Sequence, residues 1–189
     1  MYIEVIGFSQ AKIGEPESKN EDSFFSNASK GLFCISDGAS EGIFSKNWSD
    51  VITRGFIKYP FGLNHTNLDS WIGPLQKIWY DTLPWDEFKE NMNIICNKIQ
   101  NTAAGATFLG LYINKKRSTL ECSAIGDSNL FVIRNNKLVL SFPIKHYDDF
   151  TLNPELIFSI SKNFKNNKGE NTMKCYSGEI QKISQFKIQ

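Results

Sequence analysis

A chain of 189 residues, 41% of them hydrophobic and 13% aromatic, has enough apolar side chain for one sizeable core and is short for two. Lysine and arginine number 21 against 20 aspartates and glutamates, and the net charge of +1 excludes the broad basic footprint that nucleic acid or an anionic membrane requires. A single domain over residues 1–189, with no nucleic-acid and no membrane partner, is the expectation.

Residues 1 to 36 read as three β segments: Tyr2 to Phe8, Ser23 to Ser26 and Leu32 to Ser36, the last two joined by a turn over Asn27 to Gly31. The stretch from Gln10 to Lys19 between them is polar and reads as a flexible loop. After Asp37-Gly38 the period changes, because Trp48, Val51, Ile52, Gly55 and Phe56 recur at helical spacing until Pro60 ends the run. A second helix is predicted from Leu68 to Leu83 on the stripe Leu68, Trp71, Leu75, Ile78, Trp79 and Thr82, with Pro74 its weak point. A third runs from Pro84 to Gln100, placing Phe88, Met92, Ile95 and Ile99 on one face. These stripes read as core packing.

From Ala104 the period returns to two, giving strands at Ala106 to Ile113, Thr119 to Ile125, Leu130 to Arg134 and Lys137 to Phe142. Asn135-Asn136 and Gly126-Asp127-Ser128 are predicted as tight hairpin turns of an antiparallel meander, and the basic run Lys115-Lys116-Arg117 as a solvated turn. Beyond Phe142 the signal weakens: Pro154 to Ile160 is a short helix candidate, Asn163 to Lys174 is polar, and Ser177 to Gln189 starts as a strand that does not continue. Strands, then helices, then strands predict an α+β fold with helices layered on antiparallel sheet.

The four cysteines, Cys34, Cys96, Cys122 and Cys175, are far apart with no C-x-x-C, and three lie in apolar periodic runs. The two histidines, His65 and His146, lack the spacing of a zinc site and read as surface or loop residues. With no basic leader and no apolar run of bilayer length, a soluble protein of a reducing compartment, the cytoplasm, is expected.

Chemistry concentrates at strand tips. Glu21-Asp22 precede one strand and Asp37-Gly38 follow its partner, so a short hairpin brings these carboxylates to the same edge. Like charges gathered there raise one another's pKa unless a cation neutralises them, and Mg²⁺ or Mn²⁺ prefers carboxylate, carbonyl and water oxygen. Gly38, lacking a Cβ, leaves its carbonyl free to turn toward such a cation. The same residues also serve as an ordinary Asp-Gly turn and a solvated strand-end charge, and taken one by one they leave both readings open.

Taken in order, Asn20-Glu21-Asp22-Ser23-Phe24, Ile35-Ser36-Asp37-Gly38, Gly105-Ala106-Thr107 and Ala124-Ile125-Gly126-Asp127-Ser128-Asn129-Leu130 are similar to the PPM-type (type 2C) metal-dependent protein serine/threonine phosphatases. The chain particularly resembles bacterial members in which a Trp-bearing helix, here around Trp48, follows the acidic loop. The resemblance covers about residues 7 to 160. It implies an antiparallel two-sheet sandwich flanked by helices, with a binuclear Mn²⁺ or Mg²⁺ centre in the cleft at the sheet edges. By resemblance Asp37 bridges both metals, the Gly38 carbonyl ligates one, Glu21 and Asp22 hold the metals directly or through water, and Asp127 helps bind a further ion. It also implies a phosphorylated protein substrate, hydrolysed by a water activated between two cations roughly 3.5 to 4 Å apart, with no protein nucleophile.

The chain departs from the family at two places. Where the family carries an arginine ahead of the acidic pair to hold the substrate phosphate, this stretch offers Lys19, a point charge without the bidentate fork. The two late aspartates that complete the second metal's shell have no counterpart: Gly178-Glu179-Ile180-Gln181 resembles the turn before the first of them, after which the pattern is lost. Asp148-Asp149 comes too early to replace either. The expectation is a domain missing its last strands, one metal held better than two, and a sheet edge left to associate with another chain. Two functions therefore stand: a serine/threonine phosphatase, or an inactive fold of the same type that binds a phosphoprotein or partner without turnover.

Overall fold

The computed structural model describes residues 2–60, 68–160 and, for the backbone alone, 174–179. Its centre is a five-stranded antiparallel sheet in the order β1 (Ser23–Asn27), β2 (Leu32–Ser36), β4 (Phe108–Asn114), β5 (Thr119–Ile125) and β9 (Lys174–Glu179). Two short pairs accompany it: β3 (Gly105–Ala106) with β8 (Ile157–Phe158), and the hairpin of β6 (Leu130–Arg134) with β7 (Lys137–Phe142). The helices are α1 (Ser45–Lys58), α2 (Leu68–Thr82) and α3 (Met92–Asn101). Helices on antiparallel sheet match the α+β expectation.

Strand alternation decides which side of the sheet is buried by what. The β2–β4 register pairs Cys34 with Gly110 and Leu32 with Tyr112, so these residues share one face. That face meets α1 and α2 through Trp48, Ile52, Phe56, Trp71, Ile72, Leu75 and Trp79, which form the main core with Leu32, Cys34 and Phe108. The opposite face carries Ile35, Leu109, Leu111, Cys122 and Ala124, and Leu130 and Phe142 from the ends of the β6–β7 hairpin pack on it.

Two glycines allow the layers to approach. A Cβ on Gly110 would lie 2.5 Å from a ring carbon of Phe56, and one on Gly55 would lie 2.5 Å from a methyl of Leu75. The aromatic side chains then interlock, Phe56 with Phe108 at 5.6 Å between centroids and Trp71 with Phe108 at 5.3 Å. The Trp48 indole donates to the Ile157 carbonyl at 2.8 Å, tying α1 to β8 beneath the sheet end. Cys34 and Cys122 are buried, and burial, with a smaller contribution from Cys122, pushes the Cys34 thiol up.

Several expectations need correction. Tyr2 to Phe8 alternates like a strand but pairs with nothing among the described residues, and Tyr2, Ile6 and Phe8 are exposed. The third helix is in two parts, a 3-10 segment Trp85–Asn91 followed by α3, although Phe88, Met92, Ile95 and Ile99 do face inward. In α2 the buried position is Ile72 and not Ile78, which is exposed. Pro154 to Ile160 is not helical: it contributes β8. Gly126-Asp127-Ser128 is no hairpin turn, because β5 and β6 belong to different sheets and the chain crosses between them there, with Gly126 at φ +91°. Asn135-Asn136 is a tight hairpin turn, both residues taking positive φ. The polar stretch from Asn163, His65, and the chain after Glu179 lie outside the described residues.

Candidate metal centre

The β1–β2 register sets Ser23 opposite Ser36, so Glu21-Asp22 and Asp37-Gly38 come together at one end of the sheet, as the hairpin argument requires. The Gly38 amide donates to the Glu21 carbonyl at 3.3 Å, and the Asp22 carboxylate is near enough to act on that of Asp37. A Cβ on Gly38 would sit 2.9 Å from the Ser45 carbonyl oxygen and 3.1 Å from the Glu21 Cβ, so only glycine lets the start of α1 close over this edge.

Thr107 holds the neighbouring edge in register. Its amide donates to the Asp37 carbonyl at 2.8 Å, its Oγ1 accepts from the Asp37 amide at 3.0 Å, and its carbonyl accepts from the Ser36 hydroxyl at 2.6 Å. The same Oγ1 lies 2.6 Å from the hydroxyl of Ser128, which brings the β5–β6 crossing, and Asp127 with it, toward Asp37. The Gly105-Ala106-Thr107 motif thus ties the two acidic loops together.

Electrostatics follow from this gathering. The Asp37 carboxyl is pushed up to about 6, first by burial, then by the charge and hydrogen bond of Asp22 and by the charge of Asp127, with the Lys12 ammonium acting in the opposite sense. A carboxyl group among carboxylates with too little positive charge is the condition that a hard divalent cation relieves. Oxygen donors of this kind suit Mg²⁺ or Mn²⁺. As the side chains stand, however, no three Asp, Glu, His or Cys residues among the described ones are close enough to share a metal ion.

Glu21 Oε2 accepts the Ser40 hydroxyl at 2.5 Å, and the Glu21 backbone carbonyl also accepts the Ser49 hydroxyl at 2.7 Å. Lys19 closes the exposed 3-10 turn Glu17–Lys19, with its amide donating to the Pro16 carbonyl. Three further residues shape the site, of which Lys12 and Lys46 were not singled out by the sequence and Asn20 opens the first acidic motif. Lys12 reaches Ser40, with Nζ to Oγ at 3.0 Å. Lys46 donates to the Asp22 carbonyl at 2.5 Å and pairs with Asp50, while Asp50 also accepts the Ser23 hydroxyl. Asn20 caps the Asp22 amide at 2.9 Å and donates to Ser9 at 2.6 Å. An Asx turn at Asn20 is legible in the sequence; the Lys12 contact, across 28 residues, has no local signal.

Beside Asp127 opens a cleft of about 460 Å³, lined by Gly126, Asp127, Ile144, Asp149, Thr151 and Glu155 among others. Among the described residues no helix is long and apolar enough to cross a membrane.

Neither protein-family models nor curated proteins match this chain. Solved structures do. A bacterial serine phosphatase bearing a point mutation superposes with a TM-score of 0.52 at 14% identity, covering 92% of this chain and 69% of that one. PppA, a regulatory component of T6SS in Pseudomonas aeruginosa, gives 0.49 at 15% identity over 85% of this chain and 66% of its own. The catalytic domain of the serine threonine protein phosphatase PstP, solved with two manganese ions, gives 0.48 at 13% identity over 88% and 69%. The first of these likenesses shows a shared fold.

Proposed function

We propose that this chain belongs to the type 2C family and acts as a metal-dependent protein serine/threonine phosphatase, hydrolysing phosphoserine or phosphothreonine on a protein substrate. The observation that supports this is the convergence of Asp22, Asp37 and Asp127 from three strand ends, on a fold shared with a bacterial serine phosphatase. Asp37, Asp22 and the Gly38 carbonyl are the first ligands in this reading, with Glu21 and Asp127 at the flanks. Bound Mg²⁺ or Mn²⁺ supplies a Lewis acid for the phosphoryl oxygens and lowers the pKa of a water.

The protein's own part is to hold carboxylates where they repel. Thr107 fixes the Asp37 backbone from both sides, and Gly38 keeps α1 against the site, so the acidic groups cannot relax apart when no cation is bound. Lys19, on the exposed turn ahead of the acidic pair, is the phosphate-binding candidate at the rim. The cleft beside Asp127 is roomy enough for the segment that carries the phosphate. Buried thiols at Cys34 and Cys122 favour a reducing compartment, the cytoplasm.

The test is direct. With Mn²⁺ the full chain is expected to hydrolyse p-nitrophenyl phosphate and a phosphothreonine peptide, and Asp37→Asn is expected to abolish both. Clean protein without Mn²⁺-dependent turnover would leave the second reading, a phosphoprotein-binding fold without catalysis. That reading is favoured by one observation, the engagement of Glu21 with Ser40 and not with the other carboxylates.

A further inference from the structure

The sheet face turned from the helices is covered unevenly. Strand register sets Leu109 beside Ala124, Phe33 beside Leu111 and Ile113 beside Leu120 on that face, in rows that run from the acidic edge to the opposite end. Near the acidic edge, Leu109 and Ala124 are buried under the Leu130 and Phe142 end of the β6–β7 hairpin. Gly7 closes on the same region from the β1 side, where a Cβ would lie 3.0 Å from the Phe24 ring. Toward the opposite end, Phe33, Leu111 and Ile113 are apolar yet only half-buried.

The chain leaves the sheet at that opposite end. β9 pairs Gly178 with Leu120 and Glu179 with Thr119, so the residues after Glu179 begin one position past the Ile113 and Leu120 row. Ten remain, 180–189, and they lie outside the described residues. Within them Gln185-Phe186-Lys187-Ile188-Gln189 alternates strictly between polar and apolar, the pattern of a strand with one side buried. The other long stretches outside the described residues suit this face less well. Residues 61–67 join α1 to α2, which pack on the other side of the sheet, and 161–173 is rich in Asn and Lys.

We propose that residues 180–189 fold back across this end of the sheet as an extended segment of its second layer, turning Phe186 and Ile188 onto Phe33, Leu111 and Ile113. Reach is ample. Three strand spacings separate β9 from β2, about 14 Å, and a packed layer stands about 10 Å from a sheet. Ten extended residues span up to about 33 Å. Gln185, Lys187 and Gln189 then face water, while the two apolar side chains take the half-covered face out of it. The assignment stands whatever the acidic edge binds, because none of these residues belongs to it.

Two readouts on the full chain test this. With Ile113→Cys and Ile188→Cys in one chain, a short bismaleimide linker is expected to join the two positions within that chain, as mapped by mass spectrometry. A link between two chains would give the face to a second copy, and no link would leave the tail away from the sheet; either result overturns the assignment. Phe186→Asp is expected to lower the melting temperature by roughly 4–8 °C. Lys187→Asp, on the polar side, is expected to leave it within about 2 °C. Equal losses from both, or none from either, would also overturn it. The linker result decides the matter if Phe186→Asp does not fold.

Discussion

Asp37 is the residue at which the architecture works against itself. Its carboxyl, normally near 3.8, is pushed up to about 6, so the folded chain holds a proton that the unfolded chain releases. Between those values stability falls as pH rises, because the native state binds more protons than the unfolded one; above about 6 the full loss is present, and below about 3.8 it vanishes. Asp37 keeps contact with solvent, and screening reduces the effect to about 1 kcal/mol. In chelator, Asp37→Asn is therefore expected to melt about 2–4 °C above the wild type near pH 7. The difference should shrink toward zero near pH 4. Melting curves at both pH values check this, and an Asn variant less stable than the wild type near pH 7 would contradict the assigned repulsion. The reach of residue-level reading from sequence is visible at the same place. That Glu21-Asp22 and Asp37-Gly38 meet at one edge is legible, because hairpin geometry fixes which strand ends meet. The turn of the Glu21 carboxylate to Ser40 and the reach of Lys12 to the same hydroxyl are not, because a rotamer choice and a contact across 28 residues leave no periodic trace.

At the level of elements, period and partner have separate roles. The alternation in β1, β2 and β4 to β7 is readable because each strand has a neighbour that buries its apolar side; Tyr2 to Phe8 alternates equally well but has no such neighbour among the described residues, and β-propensity without pairing does not make a strand. In the third helix, the expected face is present although its first turns are 3-10, since burial fixes the face more firmly than the hydrogen-bond pattern. Ile72 replaces Ile78 in the core of α2 because the stripe is set by what the helix packs against, which periodicity alone does not reveal. Packing between α1 and the sheet gives the sharpest element-level expectation. Phe108 is wedged between Phe56 and Trp71, so the rings have little room to yield to a methyl at Gly110, only 2.5 Å from Phe56 and 2.8 Å from Phe108. Gly110→Ala should cost about 1–3 kcal/mol and lower the melting temperature by several degrees with helix and strand content retained. A variant that melts with the wild type would show that α1 sits farther from β4 than described.

For the whole molecule, the acidic centre gathers pieces of chain that are distant in sequence and that strand pairing and Thr107 hold together at that end. Asp22 lies before β1, Asp37 after β2 and Asp127 after β5, and in the unfolded chain these carboxylates are spread over about a hundred residues. An ion taken up at this edge would bind the native state alone, so it would add stability by mass action, about 2.7 kcal/mol at a hundredfold excess over its dissociation constant. For a chain of 189 residues that is a rise in melting temperature of roughly 5–10 °C. Asp37→Asn should remove most of the rise, and Asp127→Asn part of it, since Asp127 acts on Asp37 through its charge alone. The two effects of one substitution then have opposite signs. Without a cation, asparagine at position 37 relieves repulsion and stabilises; with saturating Mn²⁺ it deletes a ligand, and the wild type becomes the more stable protein. Destabilised folds and surface defects do not produce that crossing, because they shift both melting curves the same way. Absence of any Mn²⁺-induced rise in the wild type would remove the metal centre from the account, and the crossing would disappear with it.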